Sequence, residues 1–312
     1  MPGTQRRSRS ILSAVDGLLK PSLQHRIVVQ VLKRRRQFPV GDETTRLGRF
    51  LAATPREPAG MPGDFVESPL STQHLRVMEY QPTLATPRRT LVHVHGGSYT
   101  KPIDARHFAL MRRIADALGV RLLMPLYALA PEHTWRDSRP ALVDLVSSVA
   151  ESEPEGAVLS GDSAGGGYAL SVAQGLRDAG GTMPKRMVLL SPWLNLTDSQ
   201  EGRAEAARND PWLSLDHLPV YGSWWAGTEA DRARPEVSPL FGDLTGLPPT
   251  LLMCGTRDLL VAENRELVRR AADAGWDLTY VEGEEMLHVW PLLPIPEARE
   301  AVKQIVEFLS LR

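Results

Sequence analysis

From about residue 74 onward, short apolar runs alternate with segments whose apolar residues recur every three or four positions. The short runs predict buried strands at 74–80, 90–95, 121–127, 156–160, 186–191, 249–254 and 277–282, and the periodic segments predict helices at 106–118, 138–151, 164–179, 261–275 and 297–310. In the 106–118 segment, Phe108, Leu110, Met111, Ile114, Ala115 and Leu118 make one apolar stripe. Strands separated by helices of this length imply right-handed crossovers and an α/β fold, a mostly parallel sheet with helices on both faces. Reactive groups in such sheets gather at the carboxyl ends of the strands. Before this alternation, residues 1–45 are expected to be helical and are strongly basic, and 47–70 are punctuated by Pro and Gly as a linker. Residues 193–238 interrupt it with Trp193, Trp212, Trp224 and Trp225 among turn residues, so an insertion over the sheet is expected there.

Composition narrows this picture without redirecting it. The 312 residues suit a single domain, 1–312, with insertions. A formal net charge of −1 gives no global field toward nucleic acid, acidic substrates or an anionic membrane. The tract Lys33–Arg36 reads as a solvated helix end, where cations suit the dipole. Arg6, Arg7 and Arg9 ahead of Ile11–Leu19 resemble a signal peptide, but Asp16 breaks the apolar region, Lys20 follows it, and no small-residue cleavage site is present. The segment is therefore read as an amphipathic helix of a cytoplasmic protein. No apolar stretch reaches the ~18 residues of a spanning helix, so no stable membrane insertion is expected. The one cysteine, Cys254, excludes an internal disulfide and lies in an apolar run as a small hydrophobe.

The chemistry concentrates at Gly161-Asp162-Ser163-Ala164-Gly165, between a predicted strand and a predicted helix. This G-x-S-x-G turn needs small residues around the serine, exposes its hydroxyl, and aims the Ala164 N–H and a helix N-terminus at any oxyanion forming there. A serine nucleophile needs a base and a group to orient the base. His288 follows the strand at 277–282, and Asp258 follows the strand Leu251–Cys254. Alone, the aspartate reads as a helix cap and the histidine as a surface group. Together, in the order Ser163, Asp258, His288, each just past a strand, they match the chain order of α/β-hydrolases. His95-Gly96-Gly97-Ser98-Tyr99 follows another strand, where Gly97 and Ser98 would offer oxyanion N–H groups beside that of Ala164, with His95 and Gly96 supporting the loop.

On these residues the chain resembles the hormone-sensitive-lipase-like branch of α/β-hydrolase carboxylesterases, with its H-G-G-G and G-D-S-A-G-G signatures. The resemblance spans most of 65–312 and takes in Tyr127-Ala-Leu-Ala-Pro-Glu-His133, Ser191-Pro-Trp-Leu-Asn-Leu-Thr197, Ser238-Pro-Leu240, Gly246-Leu-Pro-Pro249 and Met286-Leu-His-Val289. It implies an α/β-hydrolase core with a helical cap built from about 1–45 and the insertion at about 193–238. It also implies cofactor-free hydrolysis of short- to medium-chain acyl esters. Three positions depart from the family pattern: Ser98 replaces a third glycine, Ala128 replaces an arginine, and Asn264 stands where Asp or Ser is commoner.

Other chemistries fit less well. His93 and His95 alternate along a strand as a possible metal pair, yet no H-E-x-x-H or cysteine pair completes a site. Leu170 occupies the last glycine position of a dinucleotide fingerprint, and there is no S-x-x-K. Asp162 invites an aspartyl-ester reading, but the turn exposes Ser163 instead. The expectation is a serine ester hydrolase with no cofactor and no metal, acting on a small-molecule ester as a monomer or homodimer, without nucleic acid. A lactone or amide hydrolase with the same triad, and a non-catalytic binding protein on a hydrolase scaffold spoiled at Ser98, remain alternatives.

Overall fold

A computed structural model describes residues 21–36, 57–58, 60–73, 75–83 and 88–311. The chain runs α1 (Leu23–Arg36), β1 (Val66–Glu67), β2 (Arg76–Tyr80), β3 (Thr90–Val94), α2 (Ala105–Leu118), β4 (Arg121–Leu126), α3 (Trp135–Ser152), β5 (Ala157–Asp162) and α4 (Ser163–Asp178). It continues through β6 (Arg186–Leu190), α5 (Arg203–Asn209), α6 (His217–Ala226), β7 (Thr250–Gly255), α7 (Val261–Asp273), β8 (Leu278–Gly283) and α8 (Pro296–Ser310). The eight strands form one sheet in the order β1-β2-β4-β3-β5-β6-β7-β8. The pairs β1–β2 and β2–β4 are antiparallel and the rest parallel, so the sheet is mostly parallel as expected.

Strand periodicity sorts the core into two layers, because successive side chains leave opposite faces of a sheet. Val92, Val94, Leu159, Leu189 and Leu252 point into the layer shared with α3, α4, α6 and α7. Leu91, Val158, Val188 and Leu251 point into the layer shared with α1, α2 and α8. A sheet covered on both faces explains why these strands read as continuous apolar runs. The stripe on α2 does what its spacing predicts: Phe108, Met111 and Ile114 are buried.

The predicted elements match within a few residues, with three informative differences. β5 extends through Asp162 and abuts α4 at Ser163, which makes the turn tighter than a loop. α3 starts at Trp135 and carries Pro140 inside it. The helices α5 and α6 of the insertion escaped pattern reading, because His217–Ala226 is nearly all apolar and contains Pro219 and Gly222, which hides any 3.6-residue period. Within the basic N-terminal region the structure describes α1; the expected helix at Ile11–Leu19 lies outside the described residues, as do residues 47–56 of the Pro- and Gly-punctuated linker, whose described part carries the short edge strand β1 that two residues are too few to announce. No helix among the described residues is long and apolar enough to cross a membrane.

The glycines around Ser163 permit the close approach of α4 to the strand ends. A Cβ on Gly165 would collide with the carbonyl oxygens of Val94 and His95, which are backbone and cannot swing away. Gly165→Ala is therefore expected to lower stability by about 3 kcal/mol or more in equilibrium urea denaturation.

Candidate active site

At the carboxyl end of β5 the chain reverses into α4 through Ser163, whose φ of 52° is left-handed. Such a backbone is costly for a non-glycine residue and persists where its surroundings over-determine it. Here Trp193 N–H donates to the Ser163 carbonyl at 2.8 Å, and the glycine contacts close the turn from behind. The hydroxyl is thereby presented above the sheet.

Two hydrogen bonds join the three residues predicted as a triad. Ser163 Oγ lies 2.9 Å from His288 Nε2, and His288 Nδ1 lies 2.9 Å from Asp258 Oδ2. With Nδ1–H donating to the carboxylate, Nε2 of the neutral ring is left to accept from the serine. Asp258 is fully buried just past β7, its other oxygen accepting from Leu260 N–H at 2.9 Å. Cys254 points its thiol at Asp258 Oδ2 (3.5 Å), and burial followed by that carboxylate pushes the thiol's pKa far up. The small hydrophobe read from sequence thus also touches the acid. Burial works against charging His288, but Asp258 and then Asp210 outweigh it and raise its pKa above 6.5. The histidine loop is held by Ser191, whose Oγ accepts from Val289 N–H at 3.0 Å.

The loop at His95–Tyr99 closes over the same point. Gly97 has a φ of 118°, and Ser98 and Tyr99 are left-handed at 56° and 61°. Ser98 thus adopts the backbone glycine takes freely, at a cost of about 1–2 kcal/mol, and keeps its N–H. Among the described residues the N–H groups of Gly97 and Ser98 have no protein acceptor. Ala164, in the first turn of α4, has no intrahelical acceptor for its own N–H. Tyr99 fixes the far end of the loop: it stacks on Trp225 of α6 (centroids 4.3 Å, 4° between planes) and sits edge-on to Tyr127 and Tyr168. His95 stacks on Tyr127 at 4.4 Å, donates from Nδ1 to Gly96 O (2.7 Å), and is held neutral, with a pKa of about 3, by burial and the charge on His107.

Beneath the loop lies a cluster whose roles the sequence reading did not assign. Asp162 Oδ1 accepts the Gly96 N–H at 2.9 Å and faces His93 Nε2 at 3.2 Å, while Oδ2 lies 3.4 Å from His107 Nε2. His107 donates from Nδ1 to Asp104 Oδ1 at 3.1 Å. Burial disfavours charge on His107, yet Asp162 and Asp104 prevail and hold its pKa at about 9. Reciprocally, burial would neutralise Asp162, but His107 and His93 keep its pKa well below that of an ordinary carboxylic acid. The signal for His107 was a polar residue at i−4 from Met111 on the buried stripe of α2. His93 and His95, weighed as a metal pair, instead have separate protein partners. Asp162 is occupied by hydrogen bonds under the loop, while Ser163 faces outward.

The insertion contributes two further residues. Trp212 stands edge-on to His288 (5.9 Å, 80°), with the Arg106 guanidinium 5.9 Å from its ring centroid. Asp210 is buried, accepting from Trp212 N–H (2.6 Å) and Leu213 N–H (2.9 Å) through one oxygen and from Leu259 N–H (2.7 Å) through the other. Burial and the neighbouring Asp258 push the Asp210 pKa up to about 6. In sequence it sits in Asn209-Asp210-Pro211, which resembles an ordinary turn start. Trp193 and Trp225 are buried in the core, so of the four tryptophans in the insertion it is Trp212 whose ring meets His288.

A serine, a histidine and a carboxylate are thus joined in one hydrogen-bonded line at the strand ends, and comparison with known proteins gives the family. A sequence profile described as alpha/beta hydrolase fold matches residues 91–292. An acetyl-hydrolase of Streptomyces hygroscopicus is 38% identical over 234 residues, 71% of this chain and 75% of its own length. An esterase of Acinetobacter venetianus is 29% identical over 72% of this chain and 76% of its own. Among solved structures, an esterase from the bacterial hormone-sensitive lipase family superposes with a TM-score of 0.75 at 29% identity, covering 92% of this chain and 97% of that one. The chain belongs to the α/β-hydrolase fold family, and within it to the esterase and lipase type.

Two predictions follow from the cluster and the insertion. Because the pKa of folded His107 (about 9) exceeds its unfolded value of 6.5, its contribution to stability is complete below pH 6.5 and is lost as pH rises through about 9. The urea midpoint is expected to fall over that window, and His107→Gln to flatten the fall. Asp210→Ala, which leaves three backbone donors unpaired beside the triad, is expected to reduce kcat on a soluble ester by about 10- to 100-fold, read by steady-state kinetics alongside Tm.

Proposed function

We propose that the protein is a serine carboxylesterase that cleaves short- to medium-chain acyl esters through an acyl-enzyme, without cofactor. The observation that carries this reading is the unbroken chain of two 2.9 Å hydrogen bonds from Asp258 through His288 to Ser163. Ser163 Oγ attacks the ester carbonyl while His288 Nε2 takes its proton. Asp258 holds the ring's tautomer and stabilises the imidazolium. The N–H groups of Gly97, Ser98 and Ala164 bind the oxyanion, each such donor being worth roughly 3 kcal/mol of barrier. His288 returns the proton to the departing alcohol, then activates the water that frees Ser163. His95 and Gly96 support the donor loop, tied to Asp162 beneath it.

The cap in this reading comprises about 1–45 and the insertion at 193–238, whose Trp212 stands edge-on to His288; its proposed role is to narrow the acyl side of the site. A short acyl group is supported by that ring and by the acetyl-hydrolase relative. The left-handed Ser98 retains its N–H, which weakens the alternative of a binding protein with a spoiled oxyanion loop. The natural substrate is proposed to be a small ester met in the cytoplasm.

Ser163→Ala is expected to reduce hydrolysis of p-nitrophenyl butyrate by roughly 10⁴-fold or more, and to abolish labelling by a fluorophosphonate. Retained turnover in that variant would refute the assignment. Since His288 must be neutral to act as base and its pKa lies above 6.5, kcat/KM should fall about tenfold per pH unit on the acid side of that pKa. Asp258→Asn, which removes the charge raising it, should move that limb to lower pH. Parallel assays on ester, anilide and lactone substrates separate the reading from an amide or lactone hydrolase.

A further inference from the structure

The outward face of α1 has no part in the chemistry above. Leu23, Ile27 and Val31, one turn apart, are 69%, 54% and 44% exposed. His25 and Val29 on the opposite side are buried, and Val28 and Leu32 pack against the core layer shared with α2 and α8. An exposed aliphatic stripe on a helix already seated by its other face is not explained by folding. Its charge is equally one-sided. α1 carries five Lys or Arg and no Asp or Glu, in a chain whose net charge is −1.

The cations are not simply solvated at random. Between α1 and the loops bearing Asp258 and His288 lies a cavity of about 430 Å³ lined by His25, Arg26, Val29, Lys33, Arg257 and Glu285. Arg257 engages Glu285, but no carboxylate among the described residues pairs with Arg26 or Lys33. His25, 2% exposed, lines the inner wall, and burial lowers its pKa. Arg26 and Lys33, with Arg257 across the cavity, are donors suited to a phosphate. On a helical projection this cavity adjoins the flank of the Leu23–Ile27–Val31 stripe, as headgroup and acyl regions adjoin in a lipid.

Position completes the argument. Ser22 donates through its N–H (2.6 Å) and Oγ (3.0 Å) to Glu297 at the start of α8, which ties α1 to the carboxyl edge of the sheet. That is the edge where Ser163 opens. We propose that α1 docks the enzyme peripherally on an anionic phospholipid bilayer, the aliphatic stripe entering the interface and a lipid phosphate seating between Arg26, Lys33 and Arg257. The active-site edge of the sheet then lies next to the lipid, where apolar esters collect. Nothing crosses the bilayer in this arrangement.

The test is co-sedimentation of the full chain with phosphatidylcholine vesicles, with and without phosphatidylglycerol, at low and high salt. The expected result is salt-sensitive binding to the phosphatidylglycerol vesicles alone. Leu23→Ser with Ile27→Ser should reduce that partitioning roughly tenfold or more, and Arg26→Gln with Lys33→Gln should remove the preference for anionic lipid. Both double variants should keep Tm and kcat/KM on p-nitrophenyl butyrate, so a failure here is distinct from a failure of the esterase reading. No binding to either vesicle would overturn the proposal. So would a dimer in sedimentation velocity that Leu23→Ser with Ile27→Ser dissolves, which assigns the stripe to a second copy. Inorganic phosphate that raises Tm while vesicles leave the enzyme in the supernatant would assign the cavity to a soluble anion instead.

Discussion

The rest of the site depends on one buried anion. Asp162 is fixed at the last position of β5, and its carboxylate holds the Gly96 N–H of the His95–Tyr99 loop while His93 and His107 supply the opposing partial and full positive charge. A carboxylate at this depth is tolerable only if every lone pair is matched, and removing one partner leaves an uncompensated charge. The same residue precedes the left-handed Ser163. The His95–Tyr99 loop and the turn at Ser163 therefore share a single anchor, and cannot drift apart without breaking that cluster.

A second coupling ties the triad to the insertion. Asp210 gathers backbone donors from its own loop and from the loop carrying Asp258, so one carboxylate joins the two loops. Trp212, two residues on, then faces the ring of His288. Burial and a like charge raise the Asp210 pKa toward 6, which places a weakly acidic group next to a histidine whose pKa is raised. On the other side, Trp225 stacked on Tyr99 gives the insertion a hold on the His95–Tyr99 loop as well. The segment over the sheet thus touches both halves of the machinery it covers.

Much of this was legible in the chain. Continuous apolar runs announced strands buried on both faces, and G-x-S-x-G, Asp258 and His288 each stood just past one of them. Small residues around Ser163 were legible because a tight strand-to-helix reversal tolerates nothing larger. The parts that escaped have a common cause: they are polar residues whose partners come from far along the chain. His107 is an odd polar position on an apolar stripe until Asp162, 55 positions away, meets it. Asp210 is an ordinary turn residue until Leu259 turns its N–H toward it.

Local patterning was enough for the fold class, the strand ends and the choice of Ser163, Asp258 and His288 as candidates that the fold joins by hydrogen bonds, since period, turn chemistry and chain order are properties of neighbouring positions. The protonation state of His107, the anchoring of the oxyanion loop, the junction between insertion and acid loop, and the outward aliphatic stripe of α1 came from packing. Each requires knowing which distant groups share a low-dielectric space or leave a face uncovered, and no spacing along one chain carries that information.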